Sequence, residues 1–150
     1  MPVVEPFERG TDGPRVILVG VDGSPTSLRA AAYAAGLARR QGAKLVAAYV
    51  ATPATPIAGW VPGADQVAMD AAAEVDAELR GLMARGPELG IETEYRLLRG
   101  EPVAELSRIA DELPADAVLV GASEQAGHRL IGSIAVRLVR VGRWPVTVVP

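Results

Sequence analysis

The sequence predicts an α/β protein in which helices cover both faces of a parallel β-sheet. Short apolar runs alternate with longer amphipathic stretches in the order βαβαβαβαβ, which implies parallel strands joined by right-handed crossovers. The first run, 16–21, contains only Val, Ile, Leu and Gly, as is typical of a strand buried on both faces. The 150 residues suffice for one core, so we expect one domain at 15–150 after a flexible N-terminal leader at 1–14.

The composition excludes several classes of function. The chain has no cysteine, which excludes disulfides, thiolate metal sites and cysteine nucleophiles and is consistent with a cytoplasmic protein. A net charge of −3 offers no electrostatic footprint for nucleic acid or for an anionic membrane surface. No apolar run approaches ~18 residues, so we expect no membrane-spanning helix.

The first strand is predicted at Arg15–Val21, and the first helix runs from Ser24 to about Arg40. Ser24 is a favoured N-cap, Pro25 suits the first helical position, and Gly42 suits the C-terminal stop. The residues expected to face the sheet are mostly small, namely Leu28, Ala31, Ala32, Ala35 and Ala38.

The second strand is predicted at Lys44–Val50 and the second helix at Ala64–Arg85. The segment 51–63 between them contains three prolines and is expected to be a loop. Trp60 in this loop either lies over a neighbouring helix or forms part of a lid. The apolar stripe of the second helix is expected to comprise Val67, Ala71, Val75, Leu79 and Leu82.

A half-exposed edge strand is predicted at Ile91–Leu98, because apolar and charged residues alternate there. Gly100-Glu101-Pro102 opens a third helix, whose inward residues are expected to be Val103, Leu106, Ile109 and Ala110. The remaining predicted elements are a strand at Ala117–Val120, a helix at Ser133–Val141 and a strand at Pro145–Val149.

The stretch 116–133 combines a strand, a glycine-bearing loop and a helix start, an order that can bind an anion. The strand stops at Gly121, small and polar residues follow through Gly127, and Gly132-Ser133 precede a helical segment that starts at Ile134. Backbone N–H groups of such a loop and of a helix N-terminus attract phosphate, and Ser133 fits as the N-cap. The alternative is a plain strand-to-helix connection capped by serine.

A second loop with suitable chemistry, Val21-Asp22-Gly23-Ser24, follows the first strand. Ligands of open parallel sheets bind beyond the carboxyl ends of the strands, so both loops would line one crevice if strands one and four are neighbours. Asp22 can accept a hydrogen bond from a sugar hydroxyl, or it can form an Asx-turn with its own backbone. The two roles are compatible.

Motifs of ordinary catalysis are absent from the sequence. There is no G-x-x-x-x-G-K-[ST] phosphate loop, no G-x-G-x-x-G fingerprint and no G-x-S-x-G nucleophile elbow. A histidine metal cluster is excluded because His128 is the only histidine, and we interpret it as a solvated loop residue. We therefore predict that the protein is not an enzyme in the ordinary sense.

Two segments resemble a known family. Residues 16–38, VILVGVDGSPTSLRAAAYAAGLA, are similar to the opening strand and helix of the universal stress proteins, and so is the ending, DAVLVGAS…GSIAVRLVRVGRWPVTVVP. The resemblance extends from Arg15 to Pro150. It implies a Rossmann-like, five-stranded parallel sheet of strand order 3-2-1-4-5, frequent dimers and a role in survival under stress.

Some universal stress proteins bind ATP through G-x-x-G, nine further residues and G-[ST]. Gly121, Gly132 and Ser133 match the ends of that pattern, but Glu124 stands at the second glycine and only seven residues separate it from Gly132. Gly127 is the candidate that replaces the missing glycine in a re-drawn loop. The phosphate half of the family's site is therefore altered here.

The nucleoside half of that site looks intact. The resemblance assigns Asp22 to the ribose side and Leu45 or Val46 to the strand that lies along adenine. The residues expected to bind nucleotide are Val21, Asp22, Gly23, Ser24, Leu45, Val46, Gly121, Ala122, Gly127, Arg129, Gly132, Ser133 and Ile134.

Two hypotheses of function follow. The first is a stress protein that binds ATP or another adenine nucleotide, with or without Mg²⁺, as a sensing module with at most slow hydrolysis. The second is a member that binds no nucleotide and acts through protein partners. A homodimer through Val146–Val149 is expected, because the family's strand order leaves this apolar strand at an open edge. Glu124 would repel the outer phosphates, and Arg129 would offset part of that repulsion.

Overall fold

The computed structural model describes residues 13–52, 59–125, 128–130 and 132–150. Its strands are β1 (Val16–Val21), β2 (Lys44–Ala51), β3 (Thr93–Arg99), β4 (Ala117–Gly121), β5 (Ser123–Gln125), β6 (His128–Leu130) and β7 (Val146–Val149). Its helices are α1 (Pro25–Gln41), α2 (Ala64–Ala84), α3 (Pro102–Glu112) and α4 (Ser133–Val141). Five strands form an all-parallel sheet in the order β3-β2-β1-β4-β7, which confirms the predicted fold class and strand order.

β1 occupies the centre of the sheet and starts at a side-chain clamp. It pairs with β2 on one side, from Val16 opposite Lys44 onward, and with β4 on the other side. The Asp116 Oδ2 atom accepts hydrogen bonds from the N–H groups of Arg15 (2.8 Å) and Val16 (2.9 Å). Because Asp116 directly precedes β4, this clamp fixes the offset between the two strands and so the position of their carboxyl ends.

Two apolar layers cover the sheet. α1 and α2 pack on one face, where Ile17 and Val19 of β1 are fully buried. α3 and α4 pack on the other face, where Leu18 of β1 and Leu138 of α4 are fully buried. Successive residues of β1 thus alternate between two cores, which is why nearly every position of the strand is apolar.

The ends of α1 follow the prediction, and its buried stripe does so in part: Ala38 is buried as expected, and Leu28, Ala31 and Ala35 pack against the core. Gly42 closes the helix in the left-handed conformation, with a φ of 63°. The buried alanines are Ala30, Ala34 and Ala38, whereas Ala32 of the expected face is exposed. Alanine occurs on every side of this helix, so the pattern of apolar residues does not determine which side faces the sheet.

α2 packs on the sheet mainly through its C-terminal half. Leu79 is buried, and Val75 and Met83 are partly buried against the same core. The expected stripe is wrong at its two ends, because Val67 is 68% exposed and Leu82 is 47% exposed. The side that contacts the sheet repeats every four residues from Val75, and Met83 takes the position that was assigned to Leu82.

The segments before β1 and before α2 are described only in part. Residues 1–12, most of the predicted leader, and residues 53–58 of the proline-containing loop lie outside the described residues. Trp60 is 87% exposed, which contradicts the interpretation that it lies over a neighbouring helix. Among the helices that the structure describes, none is both long and apolar enough to cross a membrane.

Candidate functional site

A cleft of about 550 Å³ opens beyond the carboxyl ends of β1, β2 and β4. The first turns of α1, α3 and α4 border it, and Leu106 of α3 lines it on the side of the α3 and α4 layer. Asp22 is the only acidic residue among the described residues that line this cleft. Three helix N-termini and one carboxylate therefore meet in a space of the size that holds organic ligands.

The turn after β1 places Asp22 by an Asx-turn. The Asp22 Oδ1 atom accepts a hydrogen bond from the Ser24 N–H at 2.9 Å. Asp22 itself is exposed and lines the cleft, as do Val21 and Ser24. Gly23, with a φ of 83°, forms the turn and faces Val75 of α2 instead. The Asx-turn predicted for Asp22 is thus present, and its second carboxylate oxygen accepts no hydrogen bond from any residue that the structure describes.

Thr26 and Ser27 are buried polar residues at the start of α1 that line the cleft, and the sequence analysis missed them. The Ser27 hydroxyl donates to the Ser24 carbonyl (3.0 Å) and accepts from the Asp22 N–H (3.2 Å). The Ser24 hydroxyl in turn accepts from the Ser27 N–H at 3.3 Å and caps the helix. The signal that points to these residues is a run of hydroxyl side chains around Pro25 at a predicted helix start.

Gly121, at the end of β4, lets the first turn of α1 approach the sheet closely. A Cβ atom at this position would lie 2.5 Å from the Thr26 carbonyl carbon and 2.6 Å from the Ser27 nitrogen. Both are backbone atoms, which no side-chain rotation can move away. The sequence suggests a phosphate-loop glycine here, and the structure adds that the glycine is needed to seat α1.

The segment after β4 forms an antiparallel hairpin, β5-β6, where the sequence analysis expects an irregular loop. The pairing places Glu124 opposite Arg129 and Ser123 opposite Leu130. Ala122 and Ser123 line the cleft at the base of the hairpin. His128 also lies in a strand of the hairpin, and Gly127, the proposed substitute glycine, lies outside the described residues.

The start of α4 opens into the cleft, and no side chain of the described residues caps it. Gly132 is the N-cap, with a φ of 88°, and Ser133 is the first helical residue, so the prediction of Ser133 as N-cap is wrong by one position. The Val136 N–H donates to the Gly132 carbonyl at 3.2 Å, which leaves the N–H groups of residues 133–135 without intrahelical acceptors. Gly132, Ser133 and Ile134 all line the cleft.

The other two helix starts at the cleft are capped by side chains. Ser24 caps α1, and the Glu101 Oε2 atom caps α3 by accepting from the Ala104 N–H at 2.8 Å. The Glu101 Oε1 atom accepts from Arg137 Nη1 of α4 at 2.5 Å. Arg137 foremost, and then the Ala104 N–H, lower the pKa of Glu101. Of the three helix starts, α4 thus has the most donors left for an external anion.

Two predicted residues lie away from the cleft. Leu45 is 2% exposed and Val46 is fully buried, each in one of the two sheet cores. Both lie near the amino end of β2, whereas the cleft is at its carboxyl end, where Ala48, Val50 and Thr52 line the wall. The structure therefore places Leu45 and Val46 outside the lining of the cleft.

The described residues contain no group of three or more His, Asp or Glu side chains that could hold a metal ion. The cleft is instead equipped with backbone N–H groups, hydroxyls of serine and threonine, and one carboxylate. Such a set binds anionic and hydroxyl-bearing ligands by hydrogen bonds. Any divalent cation here would need further ligands from the bound molecule.

Comparisons with known proteins agree on one family. The family model described as the universal stress protein family matches residues 14–150. A universal stress protein of Methanocaldococcus jannaschii is 29% identical over 137 residues, which cover 89% of this chain and 80% of the relative. A universal stress protein of Mycobacterium tuberculosis is 35% identical over 136 residues, 88% of this chain but only 44% of the relative. The chain thus spans less than half the length of the second relative.

Solved structures give the same result. A universal stress protein family member from Burkholderia pseudomallei is 31% identical, with a TM-score of 0.71, and the match covers 91% of this chain and 96% of the other. A universal stress protein solved in complex with cAMP is 30% identical, with a TM-score of 0.59, over 91% of this chain and 96% of the other.

Proposed function

The chain belongs to the universal stress protein family, and on this basis we propose that it binds an adenine nucleotide in the cleft between β1 and β4. In this proposal it acts as a sensing or regulatory module in a stress response. The observation that carries the proposal is the uncapped start of α4, which directs free backbone N–H groups into a cleft that also holds Asp22. A relative of 30% identity was solved with cAMP, which supports an adenine nucleotide as the ligand.

The phosphate is proposed to bind at the α4 start. Residues 133–135 supply N–H donors, and the partial positive charge of the helix N-terminus adds to them. Gly132, with its positive φ, precedes these donors and carries no side chain that would cover them. α1 and α3 contribute their dipoles, but their side-chain caps already occupy some of their donors.

The nucleoside is proposed to bind along the ends of β1 and β2. Asp22 has one carboxylate oxygen in the Asx-turn and the other available for a ribose hydroxyl. Ala48 and Val50 offer a small apolar wall for the base, in place of the expected Leu45 and Val46. This placement keeps the ribose-side role of Asp22 that the family resemblance implies.

We do not assign turnover to this site. Among the described residues of the cleft, Asp22 is the only side chain that could act as a base, and its Oδ1 atom is already hydrogen-bonded. At most slow hydrolysis of ATP is expected. Mg²⁺ would be bound mainly by the phosphates of the nucleotide, because the protein offers no cluster of carboxylates among the residues described.

The second candidate function, action through a protein interface alone, is favoured by the open edge of β7. The carbonyls of Pro145 and Val149 accept hydrogen bonds from the N–H groups of Val118 (2.9 Å) and Ala122 (2.8 Å). Backbone groups alternate in direction along a strand, so Val146 and Val148 direct their N–H and C=O groups to the open side. We propose that a second copy pairs with this edge, with or without nucleotide.

Two variants at one position test the nucleotide site. Proline is well tolerated at the first position of a helix, so Ser133→Pro should keep α4 while it removes one N–H and the hydroxyl. Ser133→Ala removes only the hydroxyl and is the matched control. Calorimetry with ATP, ADP, AMP and cAMP should show that Ser133→Pro binds phosphate-bearing ligands about tenfold more weakly than Ser133→Ala.

Native mass spectrometry of the freshly purified protein complements this titration, because it would detect a co-purified nucleotide directly. Equal affinities of the two variants would show that the α4 start does not bind phosphate. No heat with any of the four nucleotides at millimolar concentration would favour the second candidate function.

A further inference from the structure

A second cavity, of about 320 Å³, lies on the opposite side of the sheet end from the cleft. The end of β2 and the N-terminal half of α2 line this cavity, which is open to solvent. Alanines form much of its α2 wall, with Ala68 and Ala72 among them, and Val75 lies at the inner end. Its volume is at the small end of the range found for sites of organic ligands.

The Tyr49 hydroxyl is an unused hydrogen-bonding group in this cavity. Tyr49 is 9% exposed and lines the cavity, and its hydroxyl bonds to none of the residues that the structure describes. Among the described residues, Ser107 Oγ is the only fully buried side-chain polar atom without a hydrogen-bond partner, so the unpartnered Tyr49 hydroxyl is not fully buried. The Tyr49 hydroxyl therefore keeps accessible surface, and the cavity is the space that it reaches. By contrast, the neighbouring Tyr95 hydroxyl donates to Asp76 at 2.8 Å.

The charges around this cavity are negative. Asp22 contributes its carboxylate to the wall of both this cavity and the cleft. Between residues 64 and 80, α2 carries five acidic side chains and one cation, Arg80, which pairs with Asp76 at 3.2 Å. Burial, and then the charges of Asp22 and Asp76, raise the pKa of Tyr49, so its hydroxyl stays protonated at neutral pH. The cavity thus offers a carboxylate, a phenol and an alanine wall in a negative field, a combination that suits a cation with an apolar body.

We propose that this cavity is a second binding site, which takes a small organic monocation. The ammonium group of the ligand contacts the Asp22 carboxylate and the Tyr49 hydroxyl, and its apolar part packs on Ala68, Ala72 and Val75. The site goes beyond the proposed nucleotide site, because its walls are formed by α2 on the other face of the sheet. The two sites share Asp22, Val50 and Thr52, so a bound amine would compete with a ribose hydroxyl for the Asp22 carboxylate.

Three probes of nearly equal shape test the charge preference: 2-phenylethylamine, 2-phenylethanol and phenylacetate. In a heteronuclear NMR titration without nucleotide, the amine should shift the amide signals of Tyr49, Ala68 and Ala72. The alcohol should bind about tenfold more weakly, since it lacks the charge-assisted hydrogen bond, and phenylacetate should bind least. Equal affinity of amine and alcohol, or shifts confined to other parts of the chain, would overturn the proposal.

A pair of adjacent alanines supplies the matched variants. Ala72 lines the cavity, whereas the exposed Ala73 does not, and both lie inside α2. Ala72→Leu should abolish amine binding by filling the cavity, and Ala73→Leu should leave it unchanged. Tyr49→Phe keeps the packing and removes only the hydroxyl, so it should weaken the binding of the amine about tenfold. This variant tests the site even if Ala72→Leu folds poorly. Wild-type affinity in Tyr49→Phe would refute the site. Because no nucleotide is present, this outcome is independent of the proposed function.

Discussion

Gly121→Ala should destabilise the protein although it adds only one methyl group. The added Cβ would lie 2.5 Å from the Thr26 carbonyl carbon and 2.7 Å from the Thr26 oxygen. Since ordinary carbon contacts are about 3.5 to 4.0 Å, the first turn of α1 would have to move about 1 Å from β4. The colliding atoms belong to the backbone, so a change of rotamer cannot absorb the strain.

The cost follows from what holds α1 in place. The helix buries Ala30, Ala34 and Ala38 against the sheet with at most 1% exposure, and the Ser27 hydroxyl ties its first turn to the β1 turn. A shift of the first turn therefore disturbs close packing along the helix. Overpacking of this kind costs about 1 to 3 kcal/mol, and the rigidity of the contact places Gly121→Ala near 3 kcal/mol.

Urea unfolding at pH 7 measures this free energy, with Gly36→Ala as the matched control. Gly36 lies inside α1, and a Cβ there would meet no atom within 4 Å. Alanine is the better helix former by about 1 kcal/mol, so Gly36→Ala should raise stability while Gly121→Ala lowers it. If the free energy of unfolding of Gly121→Ala lies within about 0.5 kcal/mol of the wild-type value, α1 can shift and its close approach to β4 does not constrain the fold.

Three further predictions concern a cap, an interface and the hairpin. Glu101→Ala should lower the free energy of unfolding by about 1 kcal/mol at pH 7. Because the folded-state pKa of Glu101 lies below its ordinary value of 4.5, this difference should persist above pH 4.5 and vanish as the pH falls through the folded value. Val148→Pro removes an edge N–H and should yield monomers in sedimentation at ~50 μM, whereas a persistent dimer would place the interface elsewhere. Glu124→Gly should strengthen the binding of ATP more than that of AMP, by up to ~4 kcal/mol if the carboxylate lies ~4 Å from a phosphate charge. If the ratio of the ATP and AMP dissociation constants does not change, Glu124 does not face the phosphates.

The strands and helices of the sheet are predictable because the chain repeats one signal. Each core strand is a short apolar run, and each crossover helix carries a cap or a glycine at its end, as Ser24 and Gly42 do for α1. These signals are local and do not depend on tertiary contacts. The family resemblance added the strand order, which local signals alone do not determine.

The features that were missed depend on tertiary contacts or on very short elements. The buried side of α1 is determined by the bonds of Ser27 to the β1 turn, since alanine lies on all sides of the helix. β5 and β6 have three residues each, too few for an alternating pattern to be recognised. The resemblance places Leu45 or Val46 along the adenine because they lie in the second strand, although both are at its amino end and the cleft is at its carboxyl end.

The three helix starts at the cleft differ in whether a side chain caps the N–H groups of the first turn. Ser24 and Glu101 cap α1 and α3, whereas the first N–H donors of α4 are left to bind water or a ligand. A bound ligand would therefore slow amide hydrogen exchange in residues 133–135, and its departure would let that turn fray. This fraying would stay at the cleft end of α4, because the four-residue connection to β7, 142–145, leaves from the other end of the helix.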